Sequence, residues 1–156
     1  MPFERVYTVH NYYDGPRSGV ADYLGRTHHY SCEWDDGADD YAETFALVEI
    51  DGDAVSLALE QWAIWRQWEY AFHRGEVPQG THPGLPGNDL RYAQLQTAIQ
   101  SRIANTLAKR TRARGIFRVD PDGPETPKGV MRELQVEWQV ALSPRPTSRL
   151  EAPNAD

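Results

Sequence analysis

The chain has 156 residues, 40% of them apolar and a quarter charged, with five Trp, eight Tyr and four Phe. That length and aromatic content suit one packed domain and exclude a disordered polypeptide. The single cysteine, Cys32, excludes an intramolecular disulfide, and no Cys/His ladder calls for structural zinc. The net charge of −7 conceals two opposed stretches. Glu33 to Glu43 carries six acids and no base, whereas Leu90 to Val119 carries seven bases and no acid. Such asymmetry shapes the field a partner meets, not the fold.

The opening residues, Met1-Pro2-Phe3-Glu4-Arg5, lack the apolar core of a signal peptide, and no apolar run approaches membrane-spanning length. The expected address is therefore cytoplasmic. In chain order, Phe3 to His10 reads as a first strand, with Phe3, Tyr7 and Val9 on one face and Val6 on the other. Asn11 to Ser18 reads as a turn around Asp14-Gly15-Pro16. Gly19 to Tyr23 and Arg26 to Trp34 flank the two-residue loop Leu24-Gly25, a hairpin signature. Parity places His28, Tyr30, Cys32 and Trp34 on one face with Ala21 and Tyr23, and His29, Ser31, Glu33 and Asp35 on the other.

Tyr41 to Ile50 is apolar on both faces, as a central strand would be. Asp53 is then the expected N-cap of a helix from Ala54 to His73, with Leu57, Ile64, Trp65, Trp68 and Phe72 as its apolar stripe. Three prolines and four glycines make 75–87 a loop. Asn88 or Asp89 caps a second helix that reaches Arg110, with Leu95, Ile99, Ile103 and Leu107 as its buried ridge. A short strand over Ile116 to Val119 follows. Val130 to Leu142 then alternates, with Leu134, Val136, Trp138 and Val140 to one side and Glu133 and Glu137 to the other. Four strands, two helices and two strands predict an α+β domain over 1–142: a mostly antiparallel sheet of about six strands with both helices on one face. Residues 143–156, with three prolines, read as a disordered tail.

Phosphate-loop, dinucleotide-turn, nucleophile-elbow and zincin motifs are all absent, and no cofactor is expected. His10, Asp14 and Arg17, beside Tyr12 and Tyr13, form one candidate catalytic set: a histidine and a carboxylate for proton transfer and a guanidinium for an anion. The same residue types are also ordinary turn chemistry. In this enzyme reading a pocket joins that loop to the loop bearing His82. His28 and His29 point to opposite faces, and Cys32 lies about 13 Å along the strand from His28, so no metal site is expected.

The acids Asp35, Asp36, Asp39 and Asp40 do not follow the calcium-loop pattern and read as a solvated hairpin tip or an acidic docking surface. Trp62, Trp65 and Trp68 cannot all centre one narrow stripe, which leaves Trp62 as a candidate interface anchor. Arg110, Arg112 and Arg114 are candidates for nucleic acid or phosphate, against a plainer role as cations that complement a helix C-terminus. The leading expectation is a small acidic binding protein, of the immunity or antitoxin kind, that captures a basic protein partner. An enzyme and a nucleic-acid binder are the alternatives.

Overall fold

The computed structural model describes residues 2–10 and 15–140, leaving aside the side chains of Asp35, Tyr41 and Glu43. Four strands come first: β1 (Glu4–His10), β2 (Ser18–Tyr23), β3 (Arg26–Asp35) and β4 (Asp40–Glu49). Helix α1 (Gly52–His73), a single 3-10 turn over Gln79–Thr81 and helix α2 (Leu90–Ala104) follow, then β5 (Arg110–Val119) and β6 (Leu134–Val140). Every neighbouring pair is antiparallel, and β6 returns to β1 through Glu4↔Val136 and Arg5↔Gln135. The sheet is thus a closed six-stranded barrel, and the expected open sheet with helices on one face is overturned. Closure pairs the strand edges that an open sheet would leave bare.

The barrel closes around aromatic rings. Tyr30, Phe45, Phe117 and Trp138 meet edge-on or tilted at centroid separations of 5.6–5.9 Å, and Val6, Val9, Leu47, Ala113, Met131 and Val136 fill the space around them. Such offset contacts suit the ring quadrupoles better than flat stacking. Gly115 lies directly across from Trp138 because a Cβ there would sit 2.7 Å from the indole. The Leu24-Gly25 loop joins β2 to β3 with positive φ at both residues, 53° and 76°, the twist a two-residue hairpin needs.

A bulge at Tyr7 breaks the parity of β1: Val6 pairs with Ala21, but Thr8 pairs with Val20. The extra residue lets Val6 and Val9 both enter the barrel, not opposite faces as simple alternation predicts. It also disturbs the ladder, and side chains repair it. The Thr8 hydroxyl accepts from Val20 N at 2.9 Å, and the Tyr30 hydroxyl donates to Thr8 O at 2.9 Å.

A second apolar layer lies outside the barrel. Val20 packs there against Ala58, Ile99 and Ile103, with Tyr7, Ile50 and Leu57 at its margin. Both helices are capped by aspartates: Asp51 Oδ1 accepts from Ala54 N, and Asp89 Oδ1 accepts from Tyr92 N. Asp51, not Asp53, is therefore the first cap, and Asp53 lies within the first turn. Helix α2 stops at Ala104, six residues before Arg110, and Leu107 is fully exposed beyond it.

The residues released become strand. β5 starts at Arg110 and not at Ile116, alternating Arg110, Arg112 and Arg114 outward with Thr111 and Ala113 inward. Trp34 is 53% exposed because the β3–β4 register slips between Cys32 and Trp34, whereas Trp138 is 1% exposed. Among the described residues no helix is long and apolar enough to cross a membrane. The expected tail at 143–156 lies outside the described residues.

Candidate functional site

Where the outer wall of β1–β3 faces the two helices, a cavity of about 660 Å³ remains. The wall contributes Thr8, His10, Ser18, Gly19 and His29; α1 contributes Gln61, Trp62 and Trp65; α2 contributes Tyr92, Gln96 and Gln100. The segment from Pro83 to Gly87 forms its rim, next to His82. A quarter of the chain is charged, yet no Asp, Glu, Lys or Arg is among the described residues that line this space. Its polar groups are imidazoles, amides and hydroxyls.

Helix α1 reaches the cavity with polar and aromatic groups because its buried face is not the expected Leu/Trp stripe. The residues it buries are Ala54, Ala58, Gln61, Trp68 and Glu69. Alanines bring the helix close to the barrel, and Gln61 follows one turn later at 6% exposure. Gln61 Nε2 donates to Gln96 Oε1 at 2.7 Å, which ties α1 to α2 across the cavity wall. Trp62 and Trp65 stack at 5.2 Å with their planes 13° apart, and Trp62 also packs against the barrel core.

The loop after α1 is pinned to the same helix. Trp68 Nε1 donates to Thr81 Oγ1 at 2.8 Å, and the Asn88 side-chain amide donates to the carbonyls of Gly80 and His82. His82 sits over Trp68 at 4.5 Å. Trp65 Nε1 lies 3.2 Å from its Nε2 and Gly84 N lies 2.9 Å from its Nδ1; with a single lone pair, the neutral ring accepts from one of the two at a time. Each ring nitrogen faces an N–H group. An imidazolium, with two N–H groups of its own, would face both.

Burial disfavours the charged form of all three cavity histidines. Burial pushes His10 below the usual imidazole range, and His82 adds to the effect. Burial also lowers His82. His29 falls from 6.5 to about 4, mainly through burial, with His10 and Arg110 opposing a further positive charge. Tyr92 is pushed up to about 12 by burial and by Asp89, so its phenol keeps its proton. Burial thus favours the neutral form of each histidine, in a space that no charged side chain among the described residues lines.

This has a consequence for stability. A histidine whose folded pKa lies below its unfolded value contributes fully above about pH 6.5 and loses that contribution as pH falls toward 4. For His29 the whole difference is about 3 kcal/mol, roughly 2 of it between pH 7 and pH 5. Urea unfolding midpoints should therefore drop across that interval, and His29→Gln should flatten the drop. An unchanged pH profile in the variant would show that His29 is protonated as readily folded as unfolded.

No family model, curated protein or solved structure matches this chain. The site has to be read from its own geometry. Of the candidates from sequence, His10 and His82 line the same cavity. Arg17 lies elsewhere, against Cys32: its carbonyl accepts from Cys32 N at 2.7 Å. Tyr12, Tyr13 and Asp14 lie outside the described residues. His28 is buried edge-on to Tyr23, on the face opposite His29. Among the described residues no group of three or more His, Cys, Asp or Glu is placed to hold a metal ion.

The two charged stretches meet in space. Arg112 donates through Nε and Nη2 to the two carboxylate oxygens of Glu33, at 3.1 and 2.5 Å, and Thr44 donates to the same carboxylate. The Arg112 hydrogen bonds hold the Glu33 carboxyl below the usual carboxylate range. Arg110, Arg112 and Arg114 therefore stand on a barrel strand, and the placement of these arginines at a helix C-terminus is corrected. Asp36, Asp39 and Asp40 are exposed around the β3–β4 turn, where Asp39 has φ 51°; the Asp35 side chain is outside the description.

Sequence reasoning passed over Gln61, Gln96, Tyr92 and the cavity role of His29. A faint signal was present: Gln61 and Gln96 interrupt apolar stripes at positions that helical periodicity assigns to the interior.

Proposed function

We propose that this protein binds a small, uncharged molecule with a flat apolar face in the cavity between the barrel wall and the two helices. One observation carries the reading: a space of about 660 Å³ that among the described residues is lined by no charged side chain and by three histidines, glutamines and the Trp62–Trp65 stack. Cavities of this size accept ligands of several rings, and a few placed polar groups among aromatic walls set their orientation. Among the described lining residues an ionised ligand would meet no counter-charge, and the loss of its hydration costs several kcal/mol. A neutral one loses little and gains contact with the indole faces. The barrel supplies a rigid wall, and cytosolic residence suits a chain whose one thiol is Cys32.

The test is a pair of fluorescent dyes, neutral N-phenylnaphthylamine and its sulfonated analogue. The neutral dye is expected to bind at least about tenfold more tightly. Trp62→Ala should weaken it by about tenfold, as loss of an aromatic contact does. Equal binding of both dyes, or none of either, would refute the reading.

A second reading keeps the acidic hairpin tip as a docking surface for a basic protein, favoured by the exposure of Asp36, Asp39 and Asp40. Charge reversal at these three residues should slow capture of such a partner. Unchanged association would remove the acidic tip from consideration.

A further inference from the structure

The Gln61–Gln96 pair is the most specific chemical feature of the cavity. Each carboxamide has a donor end and an acceptor end, and the two share one hydrogen bond, from Gln61 Nε2 to Gln96 Oε1 at 2.7 Å. Gln61 Oε1 and Gln96 Nε2 make no hydrogen bond within the described residues, and neither is sealed from space without a partner. Gln61 is 6% exposed, so the space its oxygen opens to is the cavity it lines. Turning both amides over exchanges the roles but preserves the result. One donor and one acceptor of the pair always remain unmatched.

From this pairing we infer that the ligand is a planar heterocycle that presents both a hydrogen-bond donor and an acceptor to the two amides, as the lactam group of a nucleobase, pterin or flavin ring does. The inference rests on the small-molecule reading above and names its ligand class. The amide pair meets the polar groups of the ligand, while the Trp62–Trp65 stack on the same helix lines the wall beside them. Binding a heterocycle satisfies two amide groups that water otherwise serves. An apolar ring of equal size would strip that water and leave both groups unpaired, a penalty that rejects it.

Lumichrome, a neutral fluorescent tricycle with such a group, is the probe, compared with its N,N′-dimethyl derivative, in which the N–H donors are blocked. With the unaltered protein, lumichrome should bind about tenfold or more tightly than the dimethyl compound, the equivalent of one net hydrogen bond. Gln61→Leu and Gln96→Leu should each erase most of that preference by lowering the affinity for lumichrome toward that for the dimethyl compound. Equal affinity for the two tricycles, with the naphthylamine still bound, would overturn the heterocycle assignment and leave the cavity reading standing. Failure of all three probes to bind would overturn both.

Discussion

Glu69→Ala is expected to cost about 3–5 kcal/mol of folding stability. Glu69 is 3% exposed on α1, and both its oxygens are engaged. Oε1 accepts from Arg66 Nη1 at 2.5 Å, and Oε2 accepts from Met131 N at 2.8 Å. Arg66 also donates to Met131 O at 2.9 Å. Two residues one helical turn apart thus grip the backbone of Met131, just ahead of β6, and hold α1 to the barrel. Burial raises the Glu69 carboxyl, while the Met131 N–H and Arg66 pull it back.

Alanine leaves the buried Met131 N–H without its acceptor and the Arg66 guanidinium, 18% exposed, with the Met131 carbonyl but no counter-charge. The penalty comes from those orphans more than from the lost attraction. Urea denaturation of Glu69→Ala, Arg66→Met and the double variant Arg66→Met/Glu69→Leu measures it. The double variant should recover part of the loss, because no unpaired charge remains inside. A loss under about 1 kcal/mol for Glu69→Ala would mean the pair is solvated and holds nothing.

Gly19→Ala should be comparably severe, at about 4 kcal/mol or more, or should prevent folding altogether. Gly19 has φ 153°, and a Cβ built there would lie 2.1 Å from Thr8 O and 2.8 Å from the Tyr30 hydroxyl. Those two atoms are the partners of the 2.9 Å hydrogen bond that repairs the β1 bulge. Neither can move without cost, since one is backbone in a barrel strand and the other belongs to a fully buried ring. Because Gly19, Thr8 and His10 also line the cavity, partial folding of this variant should abolish dye binding before it abolishes secondary structure. Near-wild-type midpoints for Gly19→Ala would show that β1 and β2 can separate freely there.

Local order was widely legible. The Leu24-Gly25 hairpin, the alternation of Val136 and Trp138 and the Asp89 cap each depend on residues within a few positions of one another. β5 escaped because its inward side chains up to Gly115 are Thr, Ala and Gly, too small to mark a strand against the arginines between them. Leu107 extended the apparent ridge of α2 by one step although the helix had already ended at Asn105. Trp34 looked interior by parity alone, and a register slip reversed it.

By itself the sequence determined that four strands precede two helices and further strand, that Tyr30 and Trp138 belong inside, and that opposite charge is concentrated in two segments. Tertiary structure decided whether the sheet closes, because pairing Glu4 with Val136 joins the two ends of the fold and leaves no trace in local periodicity. It also decided that Glu33 meets Arg112, and that His10, His29 and His82 gather with Gln61 and Gln96 around one space. Periodicity reports which side of an element a residue occupies. Which other element stands opposite is set by long-range packing, and there the chemistry of this protein resides.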